Sequence, residues 1–379
     1  MSTQPSQQSG QRQPQSSDAA AAALIALYVW GDMMWIRSLS KAFNYVRSTD
    51  MVAGVQFAAT RLRRETVAIV NQLDAQTPVL LENLVDSVRH ETAEQAKRIP
   101  PSPPSHVGVL QPPEPPQFDF TVPLGQRATD AIRVDLQTEL KNIRARILRQ
   151  QNDIYKLTAA GAATHSVQAN GDPIRVSQQR MMTDLLQHGT TGFTDRAGRD
   201  WQLSSYVEMA VRTATIRALN EAHLQVMTAA GITLFTVPTH VHTCPRCFAW
   251  QGKLLSRTPD PRADATIDEA RAHGLFHPNC EHSIVAWHEG DKLQEPREWS
   301  ADDERMWKAS QQQRELERRI RTQKRVLLAS PAPEMRAAAR KKIHDYRAQL
   351  KGLTDSTGLL RRPNREQIDL GLKPKANTK

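Results

Sequence analysis

The sequence has few aromatic residues, few cysteines and no long uninterrupted hydrophobic run. Aromatic residues make up 5% and hydrophobic residues 39% of the 379 residues, which argues against one large enzyme core. Three cysteines in a chain of this length do not form a disulfide framework. The most apolar stretch, residues 19–36, is interrupted by Gly31 and Asp32, so we expect no membrane span. No secretory signal is visible, which favours production in a reducing cytoplasm.

Basic charge is concentrated towards the C-terminus. The formal net charge is +10, and residues 301–379 carry 20 basic and 10 acidic residues, so the remainder of the chain is neutral. A basic segment attracts polyanions, nucleic acid above all. A solvated helical surface has the same composition. Both interpretations, a contact with nucleic acid and an ordinary solvated surface, therefore stay open for residues 301–379.

Periodicity and proline placement predict a mainly α-helical chain with a small α+β module. We expect a disordered N-terminus at residues 1–17, a helical region at 18–99, a proline-rich linker at 100–118, a helical core at 119–231, a β-containing metal module at 232–290 and a basic helical region at 301–379. From residue 100 to residue 116, 8 of 17 residues are proline. This density excludes both a helix and a central strand there.

Apolar stripes predict helix-to-helix packing in the first half of the chain. A crowded apolar window at residues 24–43 exceeds what one amphipathic helix needs, so part of it should meet another helix or a partner. A second helical region, residues 52–97, is expected to break near Pro78. A third helix carries one continuous stripe, formed by Ile132, Leu136, Leu140, Ile143, Ile147, Ile154 and Leu157.

Local signals predict the element boundaries in the second half. Ser205 and Glu208 have the spacing of a capping box, so a helix should begin at Ser205 and end near Gly231. Residues 232–237 and 283–287 are expected to be strands that flank the metal segment. Pro331 and Pro333 divide a helical hairpin. The last twenty or so residues are expected to be loose.

All three cysteines lie in one histidine-rich part of the chain. Cys244 and Cys247 form a CxxC pair whose tight turn brings both sulfurs to one side. After 32 further residues, Cys280 and His282 form a CxH pair. Three thiolates and one imidazole suit the tetrahedral geometry that Zn²⁺ adopts in structural sites. We therefore predict a structural zinc ion held by Cys244, Cys247, Cys280 and His282.

Other histidines compete for the fourth position. His240, His242 and His277 are the candidates, and each is equally suited to an outer position or to an ordinary polar role. Four protein ligands leave no open coordination position, which favours a structural over a catalytic ion. A thioredoxin-like redox pair would need a strand-to-helix setting. The residues around this CxxC instead indicate strand, turn and strand.

Motifs in this part of the chain follow one another in a characteristic order. They are Gly192-Phe193-Thr194-Asp195-Arg196-Ala197-Gly198-Arg199-Asp200-Trp201, Leu203-Ser204-Ser205-Tyr206-Val207-Glu208-Met209, Cys244-Pro245-Arg246-Cys247, Trp250-Gln251-Gly252-Lys253 and His277-Pro278-Asn279-Cys280-Glu281-His282-Ser283. Over about residues 120–365 the chain thereby resembles the phage minor capsid protein 2 family, which is related to the Mu F-like head morphogenesis proteins. Those relatives often end the last motif in CxC, whereas His282 stands here.

The resemblance implies a minor structural protein of a tailed-phage head. It implies few copies in the virion, association with the portal and the capsid protein during assembly, and no enzymatic activity. Residues before Pro100 lie outside the resemblance. The long helical stripes, the proline linker, the metal-bound module and the basic tail agree with a connector protein.

Three other functions compete with this interpretation. A zinc-stabilised HNH-like nuclease is suggested by His277-Pro278-Asn279, but residues 237–243 lack the expected carboxylate. An ADP-ribosyltransferase-like module would use Arg212, but no Glu-x-Glu is placed to complete that site, and an Arg paired with a carboxylate is the simpler interpretation. A nucleic-acid-binding adaptor unrelated to virions is the third.

Overall fold

The computed structural model describes residues 16–48, 51–98, 126–165, 193–194, 200–239, 243–293, 297–330 and 332–372. Its helices are α1 (Ser16–Ser48), α2 (Met51–Ala96), α3 (Gln126–His165), α4 (Leu203–Ala229), α5 (Pro245–Phe248), α6 (Ile267–Ala272), α7 (Ala301–Ala329), α8 (Pro333–Thr357) and a 3₁₀ turn (Pro363–Glu366). Its strands are β1 (Phe193–Thr194), β2 (Asp200–Trp201), β3 (Leu234–Thr236), β4 (Leu254–Ser256), β5 (Ala265–Thr266) and β6 (Val285–Ala286). The prediction of a mainly helical protein with a small β-containing part is confirmed. The predicted linker at 100–118 and most of residues 1–17 lie outside the described ranges.

A single large core joins the helices from both ends of the chain. Side chains of α1, α2, α3, α4, α7 and α8 contribute to it. On α1, Trp35 and Tyr28 are among the largest fully buried side chains, at 1% and 0% exposure. The apolar residues at 24–43 therefore pack against other helices of the same chain, which was one of the two predicted alternatives. Burial of such aromatic side chains is a large stabilising term in a core that has few of them.

Helix α1 has the length and the apolar composition of a membrane-spanning helix over Ser17–Ala42. More than half of this segment is buried inside the protein. The core helix of a globular protein can have the same length and composition. The packing of α1 against α2 and α4 explains its apolar composition without a membrane.

The predicted stripe on α3 faces the core. Leu136, Leu140, Ile143 and Ile147 are buried, at 0–5% exposure. Ile132 packs partly buried against the same cluster. The side chains of Ile154 and Leu157 lie outside the described part of the chain. Periodicity of 3.6 residues is thus a reliable guide to the buried face of this helix.

The predicted break near Pro78 is wrong, because α2 runs through it without interruption. A proline inside a helix removes one backbone hydrogen bond and crowds the preceding turn. Tertiary packing offsets this cost on both sides, where Leu73 and Leu81 are 0% and 3% exposed. Thr77 adds a buried hydrogen bond, its Oγ1 lying 3.1 Å from Oη of Tyr28.

The predicted capping box at Ser205 is also wrong. Helix α4 begins at Leu203, and its N-cap residue, Gln202, makes no side-chain cap. Glu208 instead pairs with Arg365 at 2.8 Å, far away in sequence. The Glu208 carboxylate, which the local pattern predicts to cap the helix, is thus used in an ion pair with a distant part of the chain.

Strands β3 and β6 lie where strands are expected around the metal segment. The four-stranded sheet has the order β5-β4-β3-β6. Strand β3 pairs antiparallel with β6, Phe235 opposite Ala286, and antiparallel with β4. Strand β5 adds in parallel to β4. Phe235 and Leu255, both 0% exposed, are at the centre of a second, smaller core.

The C-terminal helical hairpin is confirmed, but the loose end is not. Helix α7 ends at Ala329 and α8 begins at Pro333, which agrees with the predicted interruption at residues 331–333. Beyond α8, the chain returns to the body of the protein through the 3₁₀ turn, where Glu366 is 1% exposed. Its carboxylate pairs with Arg347 and Arg361. These long-range ion pairs order the described part of the tail, which ends at residue 372.

A buried ion pair joins the hairpin to the first helix. Arg325 on α7 donates from Nη2 to Oδ2 of Asp32 on α1 at 2.6 Å, and the two side chains are 4% and 0% exposed. The same guanidinium donates to Oγ of Ser204 and to Oε1 of Gln202 at the start of α4. Three helices therefore converge on one desolvated cation.

We predict that Arg325→Met lowers the free energy of unfolding by about 3–5 kcal/mol, because it breaks a buried ion pair and removes the cation beside the desolvated Asp32 carboxylate. Urea unfolding followed by circular dichroism measures the change. Asp345→Asn, which removes the exposed partner of Lys341, is the control and should cost less than about 1 kcal/mol. Losses of equal size in the two variants would contradict the role of the buried pair.

Candidate metal centre

The CxxC pair occupies one helical turn between two strands. Cys244 is the N-cap of α5, and Pro245 takes the first helical position, where its missing amide proton costs nothing. The backbone N–H of Cys247 points at Sγ of Cys244 at 3.5 Å. This bond folds the turn so that both sulfurs face the same side. Cys247 is 0% exposed and Cys244 is half-buried.

A second tight turn follows α6 and faces the first. The backbone N–H of Cys280 donates to the carbonyl of His277 at 2.9 Å, and Asn279 takes a positive φ of 64°. Gly274 precedes this turn with φ 101°, and a Cβ there would lie 3.2 Å from Cδ of Arg246. Glycine thus permits the two turns to approach closely.

The two turns bring five candidate ligands together. One group consists of Cys244, Cys247 and His277, the other of Cys247, Cys280 and His282, and within each group the ligand atoms lie within 4.8 Å of one another. Sγ of Cys247 lies 3.6 Å from Sγ of Cys280. Cys247 belongs to both groups, so its sulfur is at the centre of the cluster.

All four residues of the predicted ligand set belong to this cluster, and one competitor joins them. Nε2 of His277 lies 2.9 Å from Sγ of Cys244, and Nδ1 of His282 lies 3.3 Å from Sγ of Cys280. His240 and His242 lie outside the described residues. The structure therefore reduces the described candidates for the fourth ligand to two imidazoles.

Hydrogen bonding perturbs the thiols strongly. The bond with the Cys247 side chain lowers the pKa of Cys244 to about 3, with a further contribution from His277. The bond with the same side chain lowers the pKa of Cys280 to about 4, assisted by His282. The pKa of Cys247 is raised, because hydrogen bonds with the side chains of Cys244 and Cys280 stabilise its protonated form. Thiolates are the form in which cysteine binds a metal.

Polar residues outside the predicted set surround the cluster. Nε2 of His282 lies 2.9 Å from Nε2 of Gln251 and 3.3 Å from Oγ1 of Thr243. Asn220 on α4 donates to the carbonyl of His282, and the N–H of Asn279 donates to Thr213. Sequence reasoning missed these residues as parts of the site. Gln251, Asn279 and Thr213 gave a signal only through their places in the Trp250-Gln251-Gly252-Lys253 motif, the motif at residues 277–283 and the Arg212-Thr213 motif.

Aromatic contacts fix the outer side of the CxxC turn. The ring of Phe248 meets Trp299 edge-on, with ring centroids 5.1 Å apart. The guanidinium of Arg297 lies 4.7 Å from the centroid of Phe248, and Arg297 also pairs with Asp303 in the first turn of α7. The metal segment is thus attached directly to the start of α7.

The geometry around Arg212 agrees with its simpler interpretation. Nε of Arg212 lies 3.4 Å from Oε1 of Glu208, one turn earlier on the same helix.

In the described part of the chain, both groups of potential metal ligands consist of cysteine and histidine alone. Such a set of sulfur and nitrogen donors suits zinc better than Mg²⁺ or Ca²⁺, which prefer oxygen.

Comparison with known proteins places the chain in a family. No curated protein and no solved structure matches it. Residues 13–355 match the family described as Phage minor capsid protein 2. The match takes in α1 and α2 as well, so the similarity reaches well before residue 120, where the motifs alone placed its beginning. The chain belongs to the phage minor capsid protein 2 family.

Proposed function

We propose that the protein is a minor structural component of a tailed-phage head, at or near the portal vertex, where it acts in capsid assembly. The match to the minor capsid family over residues 13–355 is the observation that carries this proposal. The partners are the portal protein, the major capsid protein or both, with several copies of the chain together in a virion assembled in the host cytoplasm. The role is structural, without an enzymatic step.

We predict that peptides of this protein are found by mass spectrometry in gradient-purified particles of the phage that encodes it. Their abundance should be a small fraction of that of the major capsid protein, because a vertex offers few positions. An adaptor unrelated to virions would be found in the infected-cell lysate and lost from the particles. That distribution would contradict the proposal.

A structural zinc ion within residues 232–290 is the second part of the proposal. Three sulfurs and two imidazoles converge from two turns far apart in sequence, and four of these donors fill a tetrahedral site with no position for water. The strands around them are two or three residues long. Zinc binding contributes folding free energy on the order of 10 kcal/mol in such modules, which would compensate for the small size of this core.

We predict that the purified, reduced protein holds one zinc ion per chain and that chelation exposes residues 232–290 to proteases. Helices α1–α3, α7, α8 and the first half of α4 should stay resistant, because their buried side chains belong to the large core. Elemental analysis and limited proteolysis with mass mapping, with and without chelator, measure both effects. Cys247→Ser should reproduce the digestion pattern of the chelated protein. An unchanged pattern after chelation would contradict a stabilising metal.

An HNH-like nuclease is the alternative enzyme. It would need a second, catalytic metal with carboxylate or histidine ligands. The described residues hold no group of His, Cys, Asp or Glu side chains for such an ion apart from the cysteine cluster. A plasmid-nicking assay with Mg²⁺ or Mn²⁺ separates the two classes.

Contact with packaged DNA is the third part of the proposal, and within residues 301–379 helix α8 is the best candidate for it. Most basic side chains of α7 and the 3₁₀ turn already have partners within the protein, such as Arg318 and Arg319 with Glu315. One flank of α8 carries five basic or titratable side chains, and no Asp or Glu of α8 lies on that side between residues 336 and 351. They are Arg336, Arg340, His344, Arg347 and Lys351. Arg347 is paired with Glu366 of the 3₁₀ turn, so the proposal depends on the other four.

This set, the α8 basic flank, has the dimensions of a phosphate-binding surface. Its members recur at helical spacing on the side next to the buried face of Ala339, Ile343 and Leu350. Arg336 and Lys351 are about 22 Å apart along the helix axis at 1.5 Å per residue. Cations along such a line can neutralise several DNA phosphates and release their counterions.

We predict that Arg340→Gln with Lys351→Gln weakens DNA binding and reduces the salt slope of log K by about 2, since each lost phosphate contact removes about 0.9. Fluorescence anisotropy with duplex DNA from low to physiological salt measures it. Lys341→Gln with Lys342→Gln removes two charges from the same helix outside the flank and should leave the slope unchanged. Equal losses in the two double variants would contradict a defined surface.

A further inference from the structure

We propose that His277, together with Cys244, Cys247 and Cys280, is a zinc ligand, and that His282 is an outer hydrogen-bond donor to Sγ of Cys280. This assignment rests on the proposed structural zinc and replaces His282 of the predicted ligand set. Distances alone do not decide between the two imidazoles, because each stands beside one cysteine sulfur. The hydrogen bonds of their other ring nitrogens favour His277.

The ring of His277 is oriented as a metal ligand. Its Nδ1 lies 2.8 Å from the carbonyl oxygen of Pro278, which can only accept a hydrogen bond. Nδ1 therefore carries the proton, and in the neutral imidazole Nε2 holds the lone pair. Nε2 is the atom that faces the sulfurs, 2.9 Å from Sγ of Cys244. A backbone carbonyl that fixes the tautomer in this way is the usual outer partner of a metal-bound histidine.

The ring of His282 has the opposite arrangement. Its Nε2 lies 2.9 Å from Nε2 of Gln251, an amide nitrogen that can only donate. Nε2 therefore accepts, and the proton is on Nδ1, which points at Sγ of Cys280 at 3.3 Å. A nitrogen that carries a proton cannot bind a metal, but its N–H stabilises a neighbouring thiolate. Reversing the Gln251 amide would exchange these roles, and the experiment below distinguishes the two orientations.

Backbone geometry supports the same assignment. His277 and Cys280 end a four-residue turn closed by the bond from the Cys280 N–H to the His277 carbonyl. Cys244 and Cys247 have the same spacing in the facing turn. Two turns with ligands at i and i+3 thus supply two donors each. The N–H of His282 points at Sγ of Cys280 at 3.4 Å, so both its backbone and its ring serve that sulfur.

Burial explains what His282 does in this position. The side chain is 6% exposed, and its carbonyl accepts from Nδ2 of Asn220 on α4. His282 thereby connects the Cys280 sulfur to Gln251, which follows the CxxC turn, and to Asn220 on helix α4. In this assignment His282 positions the sulfur of Cys280 and does not itself bind the ion.

Cobalt(II) bound to the full-length protein tests the assignment, because its visible absorption bands report the ligand set directly. We expect His277→Gln to move the d–d bands and to reduce metal affinity more than about 100-fold, as a protein ligand is lost. His282→Gln should keep the band positions and reduce affinity by about 10- to 100-fold, as loss of an outer hydrogen bond does. Competition with a chromogenic chelator measures both affinities.

His277→Cys guards against a variant that fails to fold, because it keeps a ligand at this position. We expect it to bind cobalt with stronger thiolate-to-metal absorption than the wild-type protein. Unmoved bands in His277→Gln, or moved bands in His282→Gln, would overturn the assignment. A wild-type protein that binds neither zinc nor cobalt would instead contradict the structural zinc itself.

Discussion

The close approach of the CxxC turn to the turn that ends at Cys280 is the contact on which the metal segment depends. Its four strands have two or three residues each, so backbone pairing alone leaves most of the loop entropy uncompensated. A cross-link between Cys247 and Cys280, with 32 residues between them, would remove much of that entropy from the unfolded chain. The sulfur of Cys247 lies where the two turns meet, fully buried beside Phe235 and Leu255 in the smaller core.

The same contact connects the small core to the large one. On one side, Asn220 and Thr213 on α4 bond to the backbone of the second turn. On the other side, Phe248 and Arg297 link the first turn to the start of α7. These contacts hold the two turns against α4 and α7, which are themselves joined through Arg325 at the start of α4. Residues 232–290 are thereby attached to the helical framework at two places.

Local sequence patterns were reliable wherever short-range periodicity or spacing decides the structure. The stripe around Leu140, the hairpin divided at Pro331 and the cysteine cluster all follow from such patterns. The failures have one physical origin, which is competition from distant partners. Glu208 pairs with Arg365 instead of capping its helix, and tertiary packing carries α2 through Pro78. Likewise, ring tautomers depend on Pro278 and Gln251, and no spacing in the sequence displays them.

Charge in the C-terminal region has two separate uses, which the net count of the sequence could not separate. Arg325 is buried in its pair with Asp32 and Arg365 is paired with Glu208, and these ion pairs hold α7 and the tail against α1 and α4. The α8 basic flank is different, since Arg340 and Lys351 are exposed and no Asp or Glu of α8 lies on their side of the helix between residues 336 and 351. Screening by salt weakens exposed charges far more than buried pairs. If this flank binds DNA as proposed, the fold should therefore tolerate ionic strengths that dissociate the DNA from it.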